Sequence, residues 1–208
     1  MNDLAEQLVK AAKAGDENRV RELIEAGVDV NAGDIPAFLW ACFKGHKAIV
    51  RLCIANGANV NYDGFDEGTL LTTAALNGDI EFMDYLISEG AEVNHAMPLG
   101  GETALHHAAY GNQSKSVEKL LHHGAIVNHR AKSGGTTALN NFLTIHGDTP
   151  LHIAAVCAGK TLIEQLLAAS ADKKITNANG KTPFDLAKGH KRPSDVLDVL
   201  AVNPSDVA

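Results

Sequence analysis

Pairs of small residues recur along the chain: Ala11-Ala12, Ala41-Cys42, Ala74-Ala75, Ala108-Ala109 and Ala154-Ala155, with Ala187-Lys188 last. Their spacings are 30, 33, 34, 46 and 33 residues. A second marker trails each pair: Gly27-Val28, Gly57-Ala58, Gly90-Ala91, Gly124-Ala125 and Ser170-Ala171. It steps by 30, 33, 34 and 46. Two independent markers with one period and one shared irregularity identify an internal repeat. Each unit reads as two short helices and a turn. In GETALHHAAYGN, Thr103 caps a helix whose apolar positions are Leu105, Ala108 and Ala109. Thr149-Pro150 and Thr182-Pro183 are stronger starts, a threonine cap followed by proline in the first turn. The small pair lets one helix approach the next closely. Gly15, Gly45, Gly78 and Asn112 stand where the first helix should end, because these residue types tolerate the left-handed closing conformation. Paired apolar positions such as Leu120-Leu121 mark the second helix. Val-Asn follows at 30–31, 60–61, 93–94 and 127–128, where asparagine is expected to bond its own backbone through a turn.

These units resemble ankyrin repeats, whose pattern runs roughly G-x-T-P-L-H-x-A-A-x-x-G-H, then a second helix ending L-L-x-x-G-A-D-V-N, with a period of about 33 residues. The pattern stands here as GDTPLHIAAVCAG with LLAASAD, as GKTPFDLAKGH, and as AGVDVN and GANVN. It covers about residues 3–202. The resemblance implies an all-α fold, a solenoid of helix-turn-helix units with short β-hairpin loops. It places six repeats at about 1–33, 34–65, 66–97, 98–131, 147–178 and 179–203, an inserted loop at 132–146 and a tail at 204–208. It also implies that His106 and His152 tie adjacent repeats by hydrogen bonds.

The departures are local. The first unit lacks T-P-L-H, as an N-terminal cap would, with helices expected to begin at Asp3 and Glu17. In the second, Pro36-Ala37-Phe38-Leu39 replaces that phrase. In the fifth and sixth, Ala158 and Lys191 take the place of the closing glycine. Each is expected to enter the left-handed region at a cost of about 1 kcal/mol, leaving the C-terminal units the least stable. The 46-residue step holds a false start. Thr137-Ala138-Leu139-Asn140 opens a repeat that Phe142, Leu143 and Ile145 do not complete, and the true unit begins again at Gly147. Such an excess can leave the stack only at an inter-repeat hairpin. It is either a tolerated insertion or a finger presenting Phe142, Leu143 and Ile145 to a partner.

Composition narrows the functional classes. Hydrophobic residues make up 45% and charged residues 21%, with no apolar run near the ~18 residues a membrane helix needs. The amphipathic, acid-bearing MNDLAEQLVK reads as neither a signal nor a transit peptide. Cys42, Cys53 and Cys157 are odd in number and widely spaced, which fits core thiols in a reducing compartment. The net charge is −7, with −9 over residues 1–94 and +2 over 95–208. An acidic first half repels phosphates and favours basic partners. Ten histidines invite a metal search, but there is no H-E-x-x-H and no zinc-like Cys/His spacing. His122 and His123 are expected at the exposed end of a second helix. DGFDEG (63–68) lacks the distal glutamate of a calcium loop. No phosphate loop or catalytic grouping stands out. The expectation is a protein that is not an enzyme and needs no cofactor or metal.

The resemblance implies binding along a concave groove made by the hairpin tips and the first helices. The positions after each small pair line it: Phe43-Lys44, Leu76-Asn77, Tyr110-Gly111 and Val156-Cys157, preceded by Lys13-Ala14. Phe43, Leu76, Tyr110 and Val156 form an apolar stripe of the kind that marks interfaces. Trp40 reads first as a framework residue whose ring edge reaches the groove. Asp63, Asp66 and Glu67 are expected on the same side. Together these residues suggest a partner protein or peptide with apolar anchors and a basic segment, bound by a monomer in the cytoplasm, or in the nucleus of a eukaryote. The alternatives are a regulatory or inhibitory subunit of an enzyme, a bacterial effector aimed at host proteins, and a substrate of asparaginyl hydroxylation. For the last, Asn31, Asn94 and Asn128 each follow a leucine by eight residues (Leu23, Leu86 and Leu120), and Asp29 and Glu92 precede two of them.

Overall fold

The computed structural model describes residues 3–33, 35–62, 68–98, 100–132 and 146–202. Among them the helices fall in pairs: α1 (Asp3–Ala14) with α2 (Glu17–Glu25), α3 (Ala37–Phe43) with α4 (Lys47–Ala55), α5 (Leu70–Asn77) with α6 (Ile80–Ser88). The series continues with α7 (Ala104–Tyr110) and α8 (Ser114–His122), α9 (Pro150–Cys157) and α10 (Lys160–Ala168), α11 (Pro183–Gly189) and α12 (Ser194–Leu200). The odd-numbered helices form an inner layer and the even-numbered ones an outer layer.

Local chemistry sets the starts. Thr103 and Thr149 close capping boxes in which the third helical residue is histidine, and Thr182 closes one with Asp185. Pro150 and Pro183 are the first residues of their helices. Asp16 and Asp79 cap α2 and α6 by accepting N–H bonds from Arg19 and Phe82. The ends follow the expected pattern in most units. Gly15, Gly45, Gly78 and Asn112 have φ of 76°, 79°, 71° and 52°, and Lys191 joins them at 54°.

Ala158 does not. Its φ is −95° and its ψ 162°, an extended conformation that any residue adopts. The left-handed cost expected at this position is therefore absent. The helix instead stops against Gly159, and a side chain from the next repeat takes its last carbonyls. Arg192 donates from its guanidinium to the carbonyl oxygens of Val156 and Ala158.

The small pairs do pack inside. Ala11, Ala12, Ala41, Cys42, Ala74, Ala75, Ala108, Ala109, Ala154, Ala155 and Ala187 are all buried, and Lys188, in the last unit, is exposed. Burying alanine at the contact lets backbones approach, and the larger outer residues such as Leu86, Leu120 and Leu166 fill the space between layers.

The asparagines of the Val-Asn pairs act differently from expectation. They bond the following repeat rather than their own turn. Asn31 donates to the carbonyl of Gly57 and accepts the N–H of Asn59, both at 2.9 Å. Asn61 does the same with Gly90 and Glu92, Asn94 with Gly124 and Ile126, and Asn128 with Ser170 and Asp172. The turn itself is closed by the residue two earlier, as where Asp29 accepts the N–H of Asn31. His106 and His152 add the second inter-repeat tie. Each sets Nδ1 against its own threonine cap, and Nε2 lies 3.3 Å from the Asp148 carbonyl in one case and 3.0 Å from the Lys181 carbonyl in the other.

The loop arms are joined by one or two backbone rungs, Ala131 making two, since Gly147 also donates to its carbonyl at 2.8 Å. Lys132 N–H donates to Gly100 at 2.9 Å, Ala131 to Asp148 at 2.8 Å, and Ala178 to His146 at 2.7 Å. Lys132 and His146 thus stand in a continuous stack on either side of the inserted stretch. The stretch itself, with Phe142, Leu143 and Ile145, lies outside the described residues.

Candidate functional site

The candidate site is the inner-helix surface one position beyond each buried small pair. Burial of the pair fixes the helix rotation and leaves the next residue at the margin of the buried face. Phe43, Leu76, Tyr110 and Val156 are accordingly half-buried, while Lys44 and Asn77 beside them are exposed. Phe43 and Tyr110 pack their inner edges on the core, so part of each ring is structural. Asp63, Asp66, Glu67 and Phe142 lie outside the described residues.

Trp40 extends the row toward the N-terminus. Its ring meets Phe43 edge to face, with centroids 6.1 Å apart. Lys13, on the preceding inner helix, holds its ammonium 3.6 Å from the Trp40 ring centroid. A cation there is attracted by the negative face of the indole. Below the ring, Trp40 borders a cavity of about 260 Å³ with Ala5, Glu6, Val9, Ala32, Gly33 and Ile35. That volume is below the usual range for small-molecule pockets, about 300–1,000 Å³, and is nearer the size of one side chain. The pairing of Lys13 with Trp40 was hidden in the sequence, because the two sit 27 residues apart with no marker linking them.

Burial shifts the three cysteines and several histidines away from their ordinary values. Burial pushes the Cys42 thiol up to about 12, and the nearby Asp79 carboxylate adds to the rise. Burial also raises Cys53 to about 12 and raises Cys157, where Arg192 opposes it. None of these thiols forms a nucleophilic thiolate near neutrality. Burial lowers His106 to about 3, assisted by His129 across an edge-to-face ring contact at 5.7 Å, and lowers His107 to about 4. Both imidazoles remain neutral, and His106 serves as a hydrogen-bonding strut. His122 and His123 are exposed at the end of α8. Among the described residues, no group of three His, Cys, Asp or Glu side chains is placed to hold a metal. No helix among them is long and apolar enough to cross a membrane.

What this surface offers is therefore shape and side-chain chemistry on a regular frame of helix pairs. The fold is a helical repeat solenoid. The family model described as Ankyrin repeats (3 copies) matches residues 8–97 and 65–131, and that described as Ankyrin repeat matches 146–178. The chain belongs to the ankyrin-repeat family. Palmitoyltransferase ZDHHC13 of Homo sapiens is 28% identical over 210 residues, covering 88% of this chain and 34% of that protein. Palmitoyltransferase ZDHHC17 of Danio rerio is 29% identical over 223 residues, again 88% of this chain and 34% of the relative. The probable E3 ubiquitin-protein ligase XBOS33 of Oryza sativa subsp. japonica is 36% identical over 110 residues, 50% of this chain and 21% of the relative. The chain spans about a third of the length of the palmitoyltransferases it matches.

Proposed function

We propose that the chain is a non-catalytic interaction module that holds a segment of a partner protein along its inner-helix groove. The observation that carries this reading is the alignment of Phe43, Leu76, Tyr110 and Val156, half-buried at one register position, with Trp40 and Lys13 continuing the row. Half-buried aromatic and aliphatic side chains on a rigid frame cost little ordering entropy when a partner covers them. Lys44 and Asn77 supply the polar rim. The acidic balance of the first half favours a partner with a basic segment next to its apolar anchors. The proposed setting is the cytoplasm or nucleus, with the chain acting as a monomer.

The test is recovery of a partner from native lysate by the wild type and by a Lys44→Glu, Leu76→Ser, Asn77→Arg variant, with identification by mass spectrometry. A protein held by the wild type and lost by the variant supports the groove. Equal recovery by both rejects it.

A second reading is favoured by the relatives, in which a matching stretch makes up about a third of a palmitoyltransferase. On that reading the chain serves as the recognition or regulatory region of an enzyme. An effector or inhibitor role would use the same groove on a different partner. Hydroxylation of Asn31, Asn94 or Asn128 would first have to release side-chain amides that bridge repeats. Intact-mass measurement on native protein tests it, and absence of added oxygen ends the idea.

A further inference from the structure

At most seams of the solenoid, the residue just after the closing position reaches back over the previous repeat. A β-carbon at Gly15 would stand 2.7 Å from the His46 imidazole, and one at Gly78 would stand 2.4 Å from the Gln113 carboxamide. Gly159 donates its N–H to Asn112 Oδ1 at 2.9 Å. Arg192 covers the end of α9 in the same way. The seam between the second and third repeats breaks the series. A β-carbon at Gly45 would meet nothing within 4 Å. Asp79 holds the equivalent place and reaches back to Lys47 of the second repeat instead of covering Gly45, with Oδ1 capping Phe82 and Oδ2 paired with Lys47.

The helix packing reports the same seam. The inner helices α1 and α3, α5 and α7, α7 and α9, and α9 and α11 lie backbone to backbone. Helices α3 and α5 approach over a much shorter length, and the outer α4 and α6 scarcely meet. The chemistry between them explains why. At the seam of α5 with α7, Gly111 lets the Leu76 carbonyl come within 2.3 Å of where a β-carbon would sit. The seam of α3 with α5 sets Cys42 near Thr73, Asp79 and Lys47, and the buried Thr73 hydroxyl there has no hydrogen-bond partner among the described residues. Cys42 and Thr73 are each larger than alanine, so they hold the two helices further apart than an alanine pair would.

What crosses this seam is long and polar. Lys47 reaches Asp79. Arg51 lays its guanidinium 3.9 Å from the Tyr85 ring centroid, with Glu81 at 3.6 Å. Glu81 is 92% exposed, so its ion pair adds little. Lys47 and Arg51 also lie 5.9 Å from the Phe82 ring centroid, and Asn61 staples to Gly90 and Glu92. In a solenoid each repeat is stabilised by its own fold and by its neighbours, so one weak interface uncouples the two sides.

We propose that the solenoid is hinged between its second and third repeats, so that α1–α4 and α5–α12 move as two blocks. The hinge divides the groove. Lys13, Trp40 and Phe43 ride on one block, and Leu76, Tyr110 and Val156 on the other. A ligand lying across both would clamp the hinge, and one touching a single block would leave it free.

Native-state hydrogen exchange on the full chain, followed peptide by peptide through low urea, tests this without any partner. Amides of α1–α4 are expected to open together, at lower urea than those of α5–α10, with the step falling between α4 and α5. Arg51→Leu removes the ring contact and should speed exchange in α1–α4 about fivefold, leaving α5–α10 within about twofold of wild type. A single step across α1–α10 overturns the hinge. So does opening of α1 and α2 alone, which is ordinary end fraying, or an equal effect of Arg51→Leu on every helix.

Discussion

Arg192 closes a helix that ends 35 residues before it, donating to the carbonyls of Val156 and Ala158 in the preceding repeat. The last carbonyls of a helix have no partners within it, and here they obtain them from a guanidinium. Arg192→Met keeps most of the stem's apolar contact and removes the donors. It is expected to cost about 2 kcal/mol, seen as a lower thermal midpoint by circular dichroism. A midpoint unchanged within error would show that water replaces the guanidinium at no cost.

Glycine scanning of the closing positions should give opposite signs. Ser170 and Lys191 hold φ of 68° and 54°, so Ser170→Gly and Lys191→Gly are expected to gain up to about 1 kcal/mol. Ala158 is extended at φ −95°, so Ala158→Gly should lose about 0.5–1 kcal/mol by loosening the unfolded chain. Urea midpoints for the three variants check this, and stabilisation by Ala158→Gly would contradict the extended conformation.

The asparagine staples should matter to the stack more than to any one turn. Asn94→Ala removes a donor to Gly124 and an acceptor for Ile126, at an expected cost of about 1–3 kcal/mol. Asn94→Asp retains the acceptor but turns a carboxylate oxygen toward the Gly124 carbonyl, and it should be no milder than alanine near neutral pH. Equilibrium unfolding of both variants decides the point.

Stability should fall in mild acid because of buried histidine. His106 and His107 are held near 3 and 4, and His129 and His152 are also lowered, in each case first by burial. The unfolded side chains titrate near 6.5. Between those values the unfolded state binds more protons, so stability rises with pH through the window and levels off above about 6.5. Each fully buried imidazole contributes a slope of at most about 1.4 kcal/mol per pH unit. His107→Gln should flatten the slope between pH 4 and 6, as measured by urea unfolding at several pH values.

Much of the fold was legible because its determinants are local and periodic. Thr149-Pro150 announces a helix start, Gly78 an end and Ala108-Ala109 a close contact, each from residues within one turn. The features that escaped depend on side chains reaching across repeats. Nothing near Ala158 signals that Arg192 will supply its cap. Asn31 reads as a turn residue until the next repeat brings Gly57 beside it. Asp79 looks like its counterparts Gln113 and His46, yet Lys47 draws it away from Gly45. The half-buried state of Phe43, Leu76, Tyr110 and Val156 followed from the buried pair before them, whereas the Lys13 contact with Trp40 depends on how two helices lie side by side.

The central claim is that Phe43, Leu76, Tyr110 and Val156 face a partner. Phe43 and Tyr110 also pack on the core, so the cleanest probes are the exposed Lys44 and Asn77. The most direct measurement is site-specific photo-crosslinking in native lysate, with the photoreactive residue at 44 or 77 and a control at the exposed Glu118 on α8. One protein species crosslinked from 44 and 77, absent from 118 and lost with Leu76→Ser, is the expected result. The same species from all three sites, or one unaffected by Leu76→Ser, would contradict the groove.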